Sequence, residues 1–272
     1  MCGVSLLAGS IFPHAEPPPR TWDDQADYSI PTLTPIPLFE TVGDVLGPAF
    51  KLYFKNLWLI TKIVFVVVAP FEVFNALSLN QGLHGDWQLT LGTSALDFIC
   101  KVLIAPALIY SLMKLLQTGT AAGVAESYRW GLGKLVTQGL SVIIASVLIG
   151  LGTLFFVVPG IILAVAFYLI YPVAVLEQHS ASETLSRSYQ LTKGFRWKIL
   201  GAAFVVWLLT MGVGLAVNAI PVFFLAHGMQ FLPVNTVTAA IIVDILEQLT
   251  TVLSLVIYIS ILRTLESGRT QY

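Results

Sequence analysis

The sequence predicts an all-α integral membrane protein with six transmembrane helices, arranged as three parallel repeats of an interfacial amphipathic helix plus a helical hairpin. Three observations lead there. The first is composition. Of 272 residues, 56% are hydrophobic and only 11% charged, whereas soluble domains carry about 25% charged residues. With a mean hydropathy of +0.83, a soluble fold of this length lacks the polar surface to cover itself. The second is a series of long apolar runs. The third is the placement of lysine and arginine between those runs.

The runs are measured against the ~20 residues that cross ~30 Å of hydrocarbon. They fall at 57–77, 94–116, 135–158, 160–177, 197–225 and 236–265. Pro159 and Gly160 are a turn signal, so the third and fourth runs form a tight hairpin. Pro70, Pro106, Pro172 and Pro221 lie inside or near the ends of runs. They are tolerable where neighbouring helices satisfy the carbonyls that proline frees. Ahead of the first run, "PHAEPPPRTWDDQADYSIPTLTPIP" is proline-rich and polar. Residues 1–37 read as a disordered cytoplasmic tail, 38–268 as the membrane domain and 269–272 as a short cytoplasmic end. The apolar patch "MCGVSLLAGSIF" has no positively charged start, so a cleaved signal peptide is not expected.

Orientation follows from charge. Connections 78–93, 157–160 and 226–235 contain no Lys or Arg. The segments before the first run, between the second and third, between the fourth and fifth, and after the sixth hold most of them. Basic connections stay cytoplasmic, so both termini are expected inside, in a cell (inner) membrane.

The basic segments resemble one another. "DVLGPAFKLYFKNLW" aligns with "AGVAESYRWGLGKLV" and "ETLSRSYQLTKGFRW" when Phe50, Tyr128 and Tyr189 share a column. An aliphatic residue stands four before each aromatic, at Leu46, Val124 and Leu185, and basic residues follow. Two begin with a Ser/Thr-x-x-acid capping pattern, at Thr41 and Ser180. Each would lie in the interface with its aromatic face in the membrane, offering Lys51, Lys55, Arg129, Lys134, Arg187, Lys193, Arg196 and Lys198 to anionic headgroups. The alternative is ordinary charged loops.

Charges also fall inside the runs. By helical rise, Glu72, Asp97, Lys101, Asp244 and Glu247 share a layer roughly 20–28 Å from the basic end. Asp97 and Lys101 are i,i+4 neighbours. Intramembrane charges face a partner or a wet cavity. The layer reads either as a polar pocket or ion path, or as a structural ion-pair cluster. Lys62 reads as a snorkelling lysine.

Chemistry is otherwise sparse. Four scattered histidines and two cysteines, Cys2 and Cys100, have no ligand spacing, so neither a metal nor another cofactor is expected. The net charge of −1 argues against a nucleic-acid partner. No nucleophile elbow, zinc-protease pattern or P-loop occurs.

The core "LGTLFFVVPGIILAVAFYLIYPVAVLEQHSASETLSRSYQLTKGFRWKILG" resembles the glycerophosphoryl diester phosphodiesterase membrane-domain family and its YciC-like relatives. "LFETVGDVLGPAFKLYFKNLWLI" is similar to the family's opening helix, and "IYISILRTLESG" to its closing Arg-x-x-Glu, here Arg263 and Glu266. The family often has an aspartate two residues before that arginine, where Ile261 stands here. The resemblance implies a six-span inner-membrane protein of largely unassigned function. Some relatives join this domain to a phosphodiesterase barrel. A barrel takes about 250 residues, and this chain has no segment of that size, so the family name implies no activity. The expected function is a non-enzymatic envelope protein, associated with anionic membrane lipids or docking a protein partner that the sequence does not identify. The alternative is a small transporter or channel that uses the charged layer.

Overall fold

A computed structural model of the chain describes residues 36–80, 87–177, 179–226 and 233–269. All regular elements among them are helices: α1 (Gly43–Lys55), α2 (Leu57–Asn80), α3 (Trp87–Thr118), α4 (Val124–Phe155), α5 (Val157–Ala166), α6 (Ile170–Leu176), α7 (Ala181–Thr192), α8 (Arg196–Ala226) and α9 (Pro233–Arg269). Six helical segments are long and apolar enough to cross a membrane: α2, α3, α4, α5 with α6, α8 and α9. The chain is a multi-pass α-helical membrane protein. Its lipid-facing surface is direct: Leu140, Ile143, Val147, Leu151 and Leu154 are exposed along α4, as are Phe204, Trp207, Leu208 and Leu215 along α8. Water would strongly disfavour such a display, whereas hydrocarbon accommodates it.

The order of a polar-faced helical segment followed by two spans recurs three times, but the segments differ. α1 is set off from α2 at Asn56, and α7 from α8 by a turn at 193–195 where Gly194 has φ +93°, a conformation that favours glycine. The second segment is not set off. Gly131 and Gly133 stay helical, and "VAESYRWGLGK" runs straight into the third span as the first turns of α4. Gly131 is needed where α4 crosses α3: a Cβ there would lie 3.3 Å from the Ala107 nitrogen and 3.4 Å from the Pro106 ring.

Prolines shape the spans as the sequence suggested. Pro106 has no N–H for the Val102 carbonyl four residues earlier. Gln138 of α4, fully buried, donates its Nε2 to that carbonyl at 3.3 Å. Pro172 deprives Tyr168 in the same way, and the fourth span breaks into a turn at 167–169 between α5 and α6. The Ala166 carbonyl at the break accepts from Ser188 Oγ (2.9 Å) and Thr192 Oγ1 (3.3 Å) of α7. The hairpin turn differs from the reading at 159–160. The helix is interrupted at Phe156, and Pro159 sits in the first turn of α5, where its missing N–H costs nothing. Gly160 lets α5 approach α4: a Cβ there would lie 2.9 Å from Thr153 Cα.

The buried core lies in the half of the bundle nearest α1 and α7. Ile60, Ile63 and Val64 of α2, 104–113 of α3, 173–176 of α6 and 252–261 of α9 meet there. α9 packs against α1, α2 and α8. The chain ahead of α1 is tied to the end of α9. Arg263 donates to the Ile36 carbonyl (2.6 Å) and Ser260 to that of Pro37 (2.7 Å), and the Phe39 N–H donates to Thr264 (2.9 Å). Ile36 and Pro37, expected in the tail, are therefore anchored to the membrane domain. Residues 1–35 lie outside the described residues, as do 270–272.

Candidate functional site

The charged layer forms across three helices. Lys101 Nζ lies 3.3 Å from Asp97 Oδ2 on its own helix and 3.4 Å from Glu247 Oε2 of α9. Glu72 of α2 and Asp244 of α9 lie within electrostatic range of this group. The paired side chains are each 41–46% exposed, so the cluster opens to the surface of the bundle beyond its packed half. No group of His, Cys, Asp or Glu able to hold a metal ion occurs among the described residues.

The opposite end is basic, and direct contacts hold it together. Phe39 stacks on Phe195 with centroids 5.5 Å apart, and Lys198 Nζ donates to the Phe39 carbonyl. Lys114 of α3 pairs with Glu126 of α4 at 2.7 Å, beside the Tyr110–Trp130 stack.

The eight basic residues expected to meet headgroups divide by environment. Lys51, Lys55, Arg129 and Lys193 are exposed and have no ion-pair partner among the described residues. Lys134 and Arg196 lie over the rings of Trp130 and Tyr189. A hydrogen bond from Arg196, reinforced by its charge, holds the Tyr189 phenol below its ordinary pKa. Arg187 and Lys198 face inward: Arg187 binds Glu177, and Lys198 binds the segment before α1. Inside the span, Lys62 lies over the Trp58 ring, 5.0 Å from its centroid.

The aromatic column also divides. Phe50 and Tyr128 pack against the core, and the Tyr128 hydroxyl donates to the Ile63 carbonyl at 2.5 Å. Tyr189 is 45% exposed, because α7 turns its hydroxyl stripe toward the broken span instead. Nor does α1 lie flat. Its lead-in meets Thr264, while the Tyr53 hydroxyl donates to the Ile245 carbonyl at 2.8 Å. α1 therefore leans along α9 into the bundle. The capping patterns differ likewise. Ser180 and Glu183 form the full reciprocal box, whereas at Thr41 only the Asp44 carboxylate reaches back to the backbone N–H, at 2.6 Å.

Sequence reasoning missed one polar centre. Glu177, 12% exposed, ends the fourth span. It accepts from Tyr258 (2.9 Å) and from Arg187 Nε (3.1 Å), and pairs with His179 Nε2 (2.8 Å). It ties the broken span to α7 and α9. The available signal was "YPVAVLE", an apolar run ending in an acid, with an arginine ten residues on.

Comparison of the chain with family models, curated proteins and solved structures returns no match.

Proposed function

We propose that this protein is a non-enzymatic, lipid-associated membrane protein whose basic end faces the cytoplasm and engages anionic headgroups. The observation that supports this reading is that Lys51, Lys55, Arg129 and Lys193 are exposed at one end of the bundle, with no acidic partner among the described residues. Each adds about 1 kcal/mol of attraction to an anionic surface. Membership of the phosphodiesterase membrane-domain family, which the stretch 151–201 resembles, is part of the proposal. The test is lipid analysis of nanodiscs assembled from equal parts of phosphatidylglycerol and phosphatidylcholine. Enrichment of phosphatidylglycerol by the wild type, lost in the Lys51→Gln/Lys55→Gln/Arg129→Gln/Lys193→Gln variant, supports the reading. A wild type with no such preference overturns it.

A second reading, a small transporter or channel, is favoured by the half-exposed charges around Lys101.

A further inference from the structure

A cleft of ≈ 430 Å³ lies beneath α1. Gly47, Lys51, Leu52 and Lys55 of α1 form one wall, and Leu116 of α3 and Val256 of α9 another. None of the lining residues is acidic, and the accessible lining is mostly apolar. The volume falls in the range of small-molecule sites, about 300–1,000 Å³. Neither Lys51 nor Lys55 has an ion-pair partner among the described residues.

We infer that this cleft is a binding site for one anionic phospholipid, with its phosphate held by Lys51 and Lys55 and the upper part of an acyl chain on Pro48 and Leu52, over a floor of the buried Leu116 and Val256. Charge complementarity selects the headgroup. The apolar walls select a lipid over a free phosphate, because a small anion gains nothing from apolar contacts and loses hydration there. The lysine stems cover apolar surface while their ammonium groups stay at the polar boundary. The cleft encloses part of a lipid, and the rest of the chain continues into the surrounding bilayer. The inference rests on the lipid-associated reading and narrows it from a charged face to a single built site.

Gly47 offers a clean test. A Cβ at this position meets nothing within 4 Å, and glycine is a poor helix former, so larger residues fit the backbone of α1. The probe is the nanodisc described above, followed by release into detergent and native mass spectrometry of the intact chain. The wild type is expected to retain one phosphatidylglycerol after the surrounding lipids are stripped. Lys51→Gln and Lys55→Gln each weaken the affinity for that lipid about fivefold, read as a lower retained fraction. Gly47→Trp abolishes retention and Gly47→Leu lowers it in part, with unchanged unfolding temperatures. Phosphatidylglycerol enrichment in the nanodisc, which Arg129 and Lys193 also supply, persists in both Gly47 variants. Full retention by a folded Gly47→Trp protein overturns the cleft site and leaves the broader reading standing. Equal retention of phosphatidylcholine overturns the assignment of the lysines.

Discussion

Gln138 is expected to stabilise the bundle only because Pro106 is where it is. In α3 the Val102 carbonyl lacks the donor that any other residue at 106 would supply. Gln138 supplies one from α4 at 3.3 Å, in a fully buried position. Gln138→Leu leaves that carbonyl without a donor. An unmet buried polar group costs about 1–3 kcal/mol, and interhelical hydrogen bonds in membranes average about 0.6 and reach about 1.7 kcal/mol. The bond is long for an amide donor, and the variant also removes the Gln138 Oε1 atom, which has no partner. Both points place the expected loss near 1 kcal/mol, roughly a fivefold fall in the folded-to-unfolded ratio. Pro106→Ala gives α3 its own N–H for Val102, though it loses ring contacts against α4. In that background Gln138→Leu is expected to cost nothing. The assay is equilibrium unfolding of the four proteins of the cycle in mixed micelles titrated with dodecyl sulfate. A coupling near 1 kcal/mol is expected. Additive costs, with coupling below about 0.3 kcal/mol, would refute the link between the proline and the glutamine.

Gly160→Val places a branched side chain against the Thr153 backbone, and overpacking of this kind costs about 1–3 kcal/mol. An unchanged unfolding midpoint in the same titration would contradict the close approach of α4 and α5. At the start of α7, hydrogen bonds from the Ser180 backbone N–H and hydroxyl hold the Glu183 carboxyl below its ordinary pKa. The contribution of this box is therefore complete above the ordinary glutamate value of about 4.3 and fades as pH falls through the lower folded value. Amide exchange in the first turn of α7 is expected to quicken on the acid side of that value, and Glu183→Gln is expected to flatten the response. An equally steep response in Glu183→Gln would remove the box as its cause. Lys101→Met strips the cation from a cluster of carboxylates. If the layer is structural, stability in detergent falls and Asp97→Asn recovers much of it. If the layer conducts, the variant folds normally and alters cation or proton flux in reconstituted vesicles. Unchanged stability together with unchanged flux would contradict both.

The spans were legible because twenty-residue apolar runs have few other uses, and each expected run has a helical counterpart among the described residues. Proline effects were legible in kind. The N–H missing at Pro106 dictated that some neighbour must serve Val102, and Pro172 that the fourth span would be disturbed near Tyr168, but sequence could not say that Gln138 would serve Val102 or that Ser188 and Thr192 would serve Ala166 at the break. Such partners depend on which helices meet. The same limit hid the Glu177 centre, because Tyr258 stands 81 residues from its acceptor. Helical rise alone put Asp97, Lys101 and Glu247 at a similar height, and Lys101 pairs with the other two. The basic residues were only half legible. Charge placed all eight at one end, yet side-chain direction separates Lys51 and Lys55, which line the cleft, from Arg187 and Lys198, which hold the fold together. The equivalence of Phe50, Tyr128 and Tyr189 was a similarity of pattern, and packing treats the three differently.

The most direct test of the account is the sidedness of its basic end. Single cysteines are placed at Thr120, in the α3–α4 turn, at Ser186, on the exposed side of α7, and at Gln88, near the start of α3, with Cys2 and Cys100 replaced by serine. Cells are treated with an impermeant thiol reagent before and after permeabilisation. The account predicts that the cysteine at Gln88 is labelled in intact cells, and that those at Thr120 and Ser186 are labelled only after permeabilisation. Labelling of Thr120 and Ser186 from opposite sides of the membrane would contradict it.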